Sequence, residues 1–229
     1  MIGHGDARSH DVWLATGQTM DLERRAVEFD RERAERSAGK YGIDPKEMFP
    51  STDPAPEATL NSLFATGRKV FAVDGYHQTI AFLLKGTRPV HMMSLALQEH
   101  GEKYLVMRML ANEVIKYGAD GVIFISEVWS APYDPNNPYR RAADAPEKKE
   151  FLSATLVTKT GDPVQLLALI ERVGIDVTLG ETNTVRNQAQ IAFAPIYTAW
   201  GREIPKAWID ATKISARDGA SGDDATTST

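Results

Sequence analysis

Residues 121–129 read GVIFISEVW, and no other stretch of the chain limits its fold as tightly. The run is almost continuously apolar and rich in β-branched side chains. Such a run forms a central strand buried on both faces rather than a half-exposed one. One residue breaks the pattern. Glu127 stands between Ser126 and Val128, and by the period of two it shares a face with Ile123, Ile125 and Trp129.

The surroundings of this strand predict a sheet. Residues 69–73 give a short apolar strand candidate. Residues 79–85 (TIAFLLK) and 89–97 (PVHMMSLAL) flank the turn KGTR and read as a β-hairpin. A helix follows over residues 101–117, with Val106, Met109, Leu110, Val114 and Tyr117 at helical spacing and Gly118 as its left-handed cap. After the central strand comes a polar loop of about 20 residues, then a strand over 151–158 and the tight turn KTGD. Residues 163–173 fit either a strand or a helix, and the preceding turn and the alternation of Val164, Leu166, Ala168 and Ile170 favour a strand. Residues 188–200 add a further strand, which Pro195 would confine to an edge or a bulge. Ahead of the hairpin, Asp53, Pro54 and Pro56 open a short helix carrying Leu60, Leu63 and Phe64, closed by Gly67.

The expected class is α+β: an antiparallel sheet of about five or six strands in ββαβββ order, with one long helix packed on a face. The same order occurs in PAS-like and GAF-like ligand-sensing domains. That likeness is one of topology, carried by no sequence motif, and fold alone does not assign function.

Around this body the chain changes character. Residues 20–38 (MDLERRAVEFDRERAERSA) predict a charged helix with i,i+4 pairs Asp21–Arg25 and Glu32–Arg36 and a thin apolar stripe of Leu22, Ala26 and Phe29. A proline-rich loop separates it from the body. Residues 205–214 suggest a short helix with Trp208 packed back, and residues 215–229 are small and polar, a composition expected to be disordered. The expected division is an arm over 1–52, a core domain over 53–214 and a tail over 215–229.

Composition removes several function classes. The chain has no cysteine, which excludes disulfides, thiolate nucleophiles and cysteine-ligated zinc. Its net charge of −5 makes nucleic acid an unlikely partner. No apolar run reaches the roughly 18–20 residues that span a bilayer, and the opening residues lack a secretory pattern, so a cytoplasmic location is expected. Serine-elbow, phosphate-loop and RNA-binding signatures are absent, as is metal-site spacing among the five histidines, so neither a metal nor a cofactor is expected.

What remains is a short set of candidates. A carboxyl on a buried face beside Trp129 has the environment of a general acid, so Glu127 with His91 or His77 is the candidate catalytic group. In the loop, Tyr139, Arg140 and Arg141, with Trp129 nearby, could hold a small anion by paired guanidinium contacts. Lacking a catalytic motif, the chain reads first as a non-catalytic interaction or ligand-sensing module, with a protein partner or self-association through the N-terminal helix. The alternatives are a small hydrolase or transferase built on Glu127, and a subunit of a homo-oligomeric assembly.

Overall fold

The computed structural model describes residues 11–13, 19–21, 31–44, 55–95, 102–132, 134, 136–137, 140–174, 176–188, 191–204 and 206. The chain divides into two compact units, Met1–Lys40 and Tyr41–Thr229. In the smaller unit, β1 (Asp11–Trp13) and β2 (Thr19–Asp21) pair antiparallel. Helix α1 (Arg31–Tyr41) follows. The charged helix expected from residue 20 onward is therefore corrected at its start, where Met20 and Asp21 are strand residues. Residues 22–30 lie outside the described set. Helix α1 also passes through Gly39, and it is Gly42, at φ 60°, that follows its end.

In the larger unit, the first helix after α1 among the described residues is α2 (Pro56–Asp74). Leu60, Leu63, Phe64, Gly67 and Phe71 form its buried stripe at i, i+3, i+4, i+7 and i+11. Two expectations fail here for one reason. Gly67 does not close the helix, and residues 69–73 are not a strand. Gly67 is a packing position: a Cβ there would stand 3.2 Å from His77 Nε2 and 3.7 Å from Ile125 Cγ2. The terminator is Gly75, at φ 72°, whose N–H donates to the Phe71 carbonyl at 2.8 Å.

Strands β3 (Thr79–Lys85) and β4 (Arg88–Leu95) form the hairpin, followed by α3 (Glu102–Tyr117). Next come β5 (Gly121–Ser130), β6 (Lys149–Thr158), β7 (Val164–Val173) and β8 (Asp176–Arg186). They make one six-stranded sheet in the order β4-β3-β5-β6-β7-β8, with every neighbouring pair antiparallel. The α+β class and the strand at 163–173 hold. The sixth strand, however, is β8. The described residues of the segment expected as a strand over 188–200 do not extend the sheet: they include a 3-10 turn (Ile191–Phe193) and the short helix α4 (Ala194–Ala199). Pro195 lies in the first turn of α4, where its missing N–H costs nothing. Ile196 and Tyr197 point inward and are fully buried.

Both faces of the sheet are covered, as the burial expected of residues 121–129 on both faces requires. Ile123 and Ile125 of β5 join Phe82, Leu84, Leu152, Leu166 and the apolar stripe of α2 in one core. Val122 and Phe124 join Ala81, Leu83, Val157, α3 and α4 in the other. Alternation along one strand thus feeds two cores.

Candidate functional site

The period-two face of β5 carries Ile123 and Ile125 under α2 and then runs out beyond the helix end, where it presents Glu127 and Trp129. Cross-strand register brings further groups to the same place. Glu150 of β6 lies opposite Trp129, and Ile170 of β7 lies opposite Glu150. Arg172, two residues on from Ile170, stands on the same face.

These side chains form one network. The His77 backbone N–H donates to Glu127 Oε1 at 2.5 Å. Arg172 donates to both oxygens of Glu150, at 2.8 and 3.1 Å, to Glu127 Oε2 at 3.4 Å, and to the Gly75 carbonyl at 3.1 Å. The guanidinium also lies 5.9 Å from the centre of the Phe71 ring. Both carboxyls accept from the Arg172 guanidinium, and their environments push them apart. Burial lifts the Glu127 carboxyl above its ordinary range; the His77 N–H and Arg172 lower it, while nearby Glu150 raises it further. Hydrogen bonds from Arg172 hold Glu150 below its ordinary range despite some burial. Of the two, Glu127 is the carboxyl whose surroundings favour the protonated form.

The two candidate histidines separate. His77 reaches Glu127 only through its backbone. Its imidazole is buried against Gly67, Nδ1 has no hydrogen-bond partner among the described residues, and burial depresses its pKa. His91 is corrected outright as a partner of Glu127. It lies opposite Leu83 on the α3 face of the sheet and stacks on Tyr117 at a centroid distance of 4.4 Å. Strand alternation places it on the other side of the sheet from Glu127.

The loop arginines are already engaged. Arg140 pairs with Glu147 at 2.7 Å and with Asp134 at 3.5 Å. Arg141 holds Asp144 through two hydrogen bonds of 2.6 and 2.9 Å. Tyr139 lies outside the described residues. Trp129 is half-exposed with the Lys148 ammonium 4.7 Å from its ring centre. Sequence reasoning missed Arg172, the group that organises the site, and gave Glu150 no role in it. The spacing Ile170–Arg172 puts the arginine on the α2 face, but a single sequence does not state which strands are neighbours.

A separate depression of about 720 Å³ lies at the opposite end of the sheet, lined among others by Glu57, Asp120, Thr158, Lys159 and Arg186. None of the sequence-predicted site residues line it. Among the described residues no group of histidine and acidic side chains is arranged to hold a metal ion, and no helix is long and apolar enough to cross a membrane.

A family model described as Bacteriophage lambda protein ea47 matches residues 1–214. The chain belongs to this family. Comparison with curated proteins and with solved structures found no match. The ea47-family match extends across both compact units, so the sheet, its two helical layers and the Arg172 network all lie within the matched region.

Proposed function

We propose that this ea47-family chain is a non-catalytic protein-interaction module whose recognition surface is the end of the sheet that carries Trp129. One observation supports this above the others. The polar groups of the candidate site face each other, and the apolar groups around them face outward. Glu127, Glu150 and Arg172 are engaged in one another and in the backbone of the α2–β3 corner. A general acid needs a free path to substrate and a partner base; the His77 imidazole is turned into the α2 packing and His91 lies across the sheet. At the same end of the sheet, Trp129, Tyr76, Val73 and Val173 are all large and exposed. Trp and Tyr beside a fixed arginine are the residue types on which binding energy concentrates at protein interfaces.

The test is quantitative capture from lysate of phage-infected cells, using the wild-type chain, the double variant Trp129→Ala/Tyr76→Ala, and Ile115→Ala as an exposed control away from this surface. A partner bound by wild type and by the control, and lost with the double variant, is the expected result. Equal retention by all three refutes the assigned surface. A Glu127-dependent hydrolase activity would overturn the non-catalytic reading.

A further inference from the structure

We propose that β4 is the seam of a homodimer, its outer edge pairing antiparallel with β4 of a second copy so that Met92 faces Met92 across the two-fold axis. The sheet has two edge strands, β4 and β8. An edge exposes backbone donors and acceptors that can template another strand, and proteins blunt such edges with charges, bulges or covering groups. The two edges here are treated differently. On β8, Arg68 of α2 donates to the Gly180 carbonyl at 2.9 Å, and the strand carries Asp176, Glu181 and Arg186. On β4 the blunting residues, Arg88 and Pro89, stand at the first two positions, and residues 90–95 carry no Asp, Glu, Lys, Arg or Pro. The register irregularity of β4 falls between the partners of Leu83 and Leu84, which leaves residues 91–95 in regular pairing.

The apolar face also runs off this edge. Met92 lies opposite Phe82, on the α2 face. Phe82 is 5% exposed, whereas Met92 is 59% exposed. A strand placed outside β4 would cover Met92 and extend the α2-side core.

The occupant is argued from the strand's fit to itself. With the axis at Met92, His91 falls opposite Met93 of the copy, Val90 opposite Ser94, and Pro89 opposite Leu95. No charge meets a charge. Arg88, the only charged residue of β4, is eight residues from its symmetry mate, about 27 Å along the strand at ~3.4 Å per residue. That exceeds the screening length of about 8 Å at physiological salt. A two-fold axis normal to the sheet keeps both α2 helices on one side and closes the interface, as isologous dimers require. An unlike partner would have to supply an uncharged strand with an apolar side chain at this position, and the second copy supplies it by symmetry.

The absence of cysteine gives a clean test. Met92→Cys places one thiol at the axis, where facing Cα atoms are about 4.5–5.5 Å apart, inside the range of about 4.4–6.8 Å that a disulfide spans. Ser94→Cys, exposed on the same face, lies four residues from its mate, about 14 Å away along the strand. The expected results are sedimentation of the wild type at twice the monomer mass, oxidative cross-linking of Met92→Cys but not of Ser94→Cys, and a monomer for Met92→Glu with an unchanged circular dichroism spectrum. A wild type that remains monomeric, a dimer that Met92→Glu leaves intact, or equal cross-linking of the two cysteine variants overturns the proposal. Because Met92 is outside the Trp129 surface, none of these outcomes bears on partner capture there.

Discussion

Replacing Arg172 by methionine removes the cation that, among the described residues, pairs with both carboxyls of the site, and keeps an aliphatic stem against Phe71. Its side chain is 41% exposed, but the partners are less so: Glu150 is 11% and Glu127 24% exposed. An exposed ion pair contributes up to about 1 kcal/mol, and breaking a fully buried one costs about 3–5 kcal/mol. This pair lies between those limits, so Arg172→Met should cost about 2 kcal/mol near neutral pH. With a urea slope of about 2 kcal/mol per M, the unfolding midpoint should fall by about 1 M. The loss should shrink in acid. Glu150 is held below its ordinary range, so its contribution is fully present above the unfolded carboxylate range near ~4.3 and disappears as pH falls through its lower folded value. Glu127 has the opposite sign. Its raised carboxyl costs stability as pH climbs through that raised value, so Glu127→Gln should match wild type in acid and equal or exceed it above neutrality. Adding Glu127→Gln to Arg172→Met should recover part of the midpoint, because it removes one of two facing charges. An Arg172→Met midpoint within experimental error of wild type at neutral pH, or a double variant weaker than the single one, would refute the account of the network.

Three further variants test the packing. Gly67→Ala should destabilise by about 1–2 kcal/mol in a thermal melt, because crowding the His77 ring outweighs the roughly 1 kcal/mol that alanine normally gains over glycine inside a helix. Burial depresses the folded pKa of His77, so stability should decline as pH falls from above ~6.5 toward that lower value, and His77→Leu should flatten this limb of the pH–stability curve. Ile123→Ala, at a fully buried position of the α2-side core, should cost about 2–5 kcal/mol by urea unfolding.

The central layer was legible from the sequence because its signals are local. An apolar run such as 121–129 has few stable fates, and the helix over 102–117 carries both its stripe and its cap. Where the reading failed, a long-range contact decided the outcome. Gly67 looks like a helix end until His77 is brought against it. Residues 176–186 escaped notice because the alternation of Val177 and Leu179 stops at Gly180, and the polar residues 181–184 that follow lie exposed at the sheet edge. Pro195 suggested a strand edge and instead occupies a helix start. Glu127 was identifiable as an acid at the rim of a buried face. Its partners were not, because Glu150 and Arg172 meet it only through cross-strand register, and His91 was assigned to it without knowing which way the hairpin faces. The charge-neutral loop follows the same lesson: Arg140 pairs with Asp134 and Glu147 and Arg141 with Asp144, all acids near them in sequence.

The corner between α2 and β3 is fastened by groups that arrive much later in the chain. The His77 amide is held by a side chain 50 residues downstream, and the Gly75 carbonyl by one 97 residues downstream. Closing loops of that length carries an entropic cost that is repaid only once the distant strands have been positioned. The bend should therefore lock after β5 and β7 have paired with β6, and pulse-labelled hydrogen exchange should show the His77 amide acquiring protection no earlier than the amides of those strands. A local turn in the sequence thereby serves as a late checkpoint on the assembly of the whole sheet.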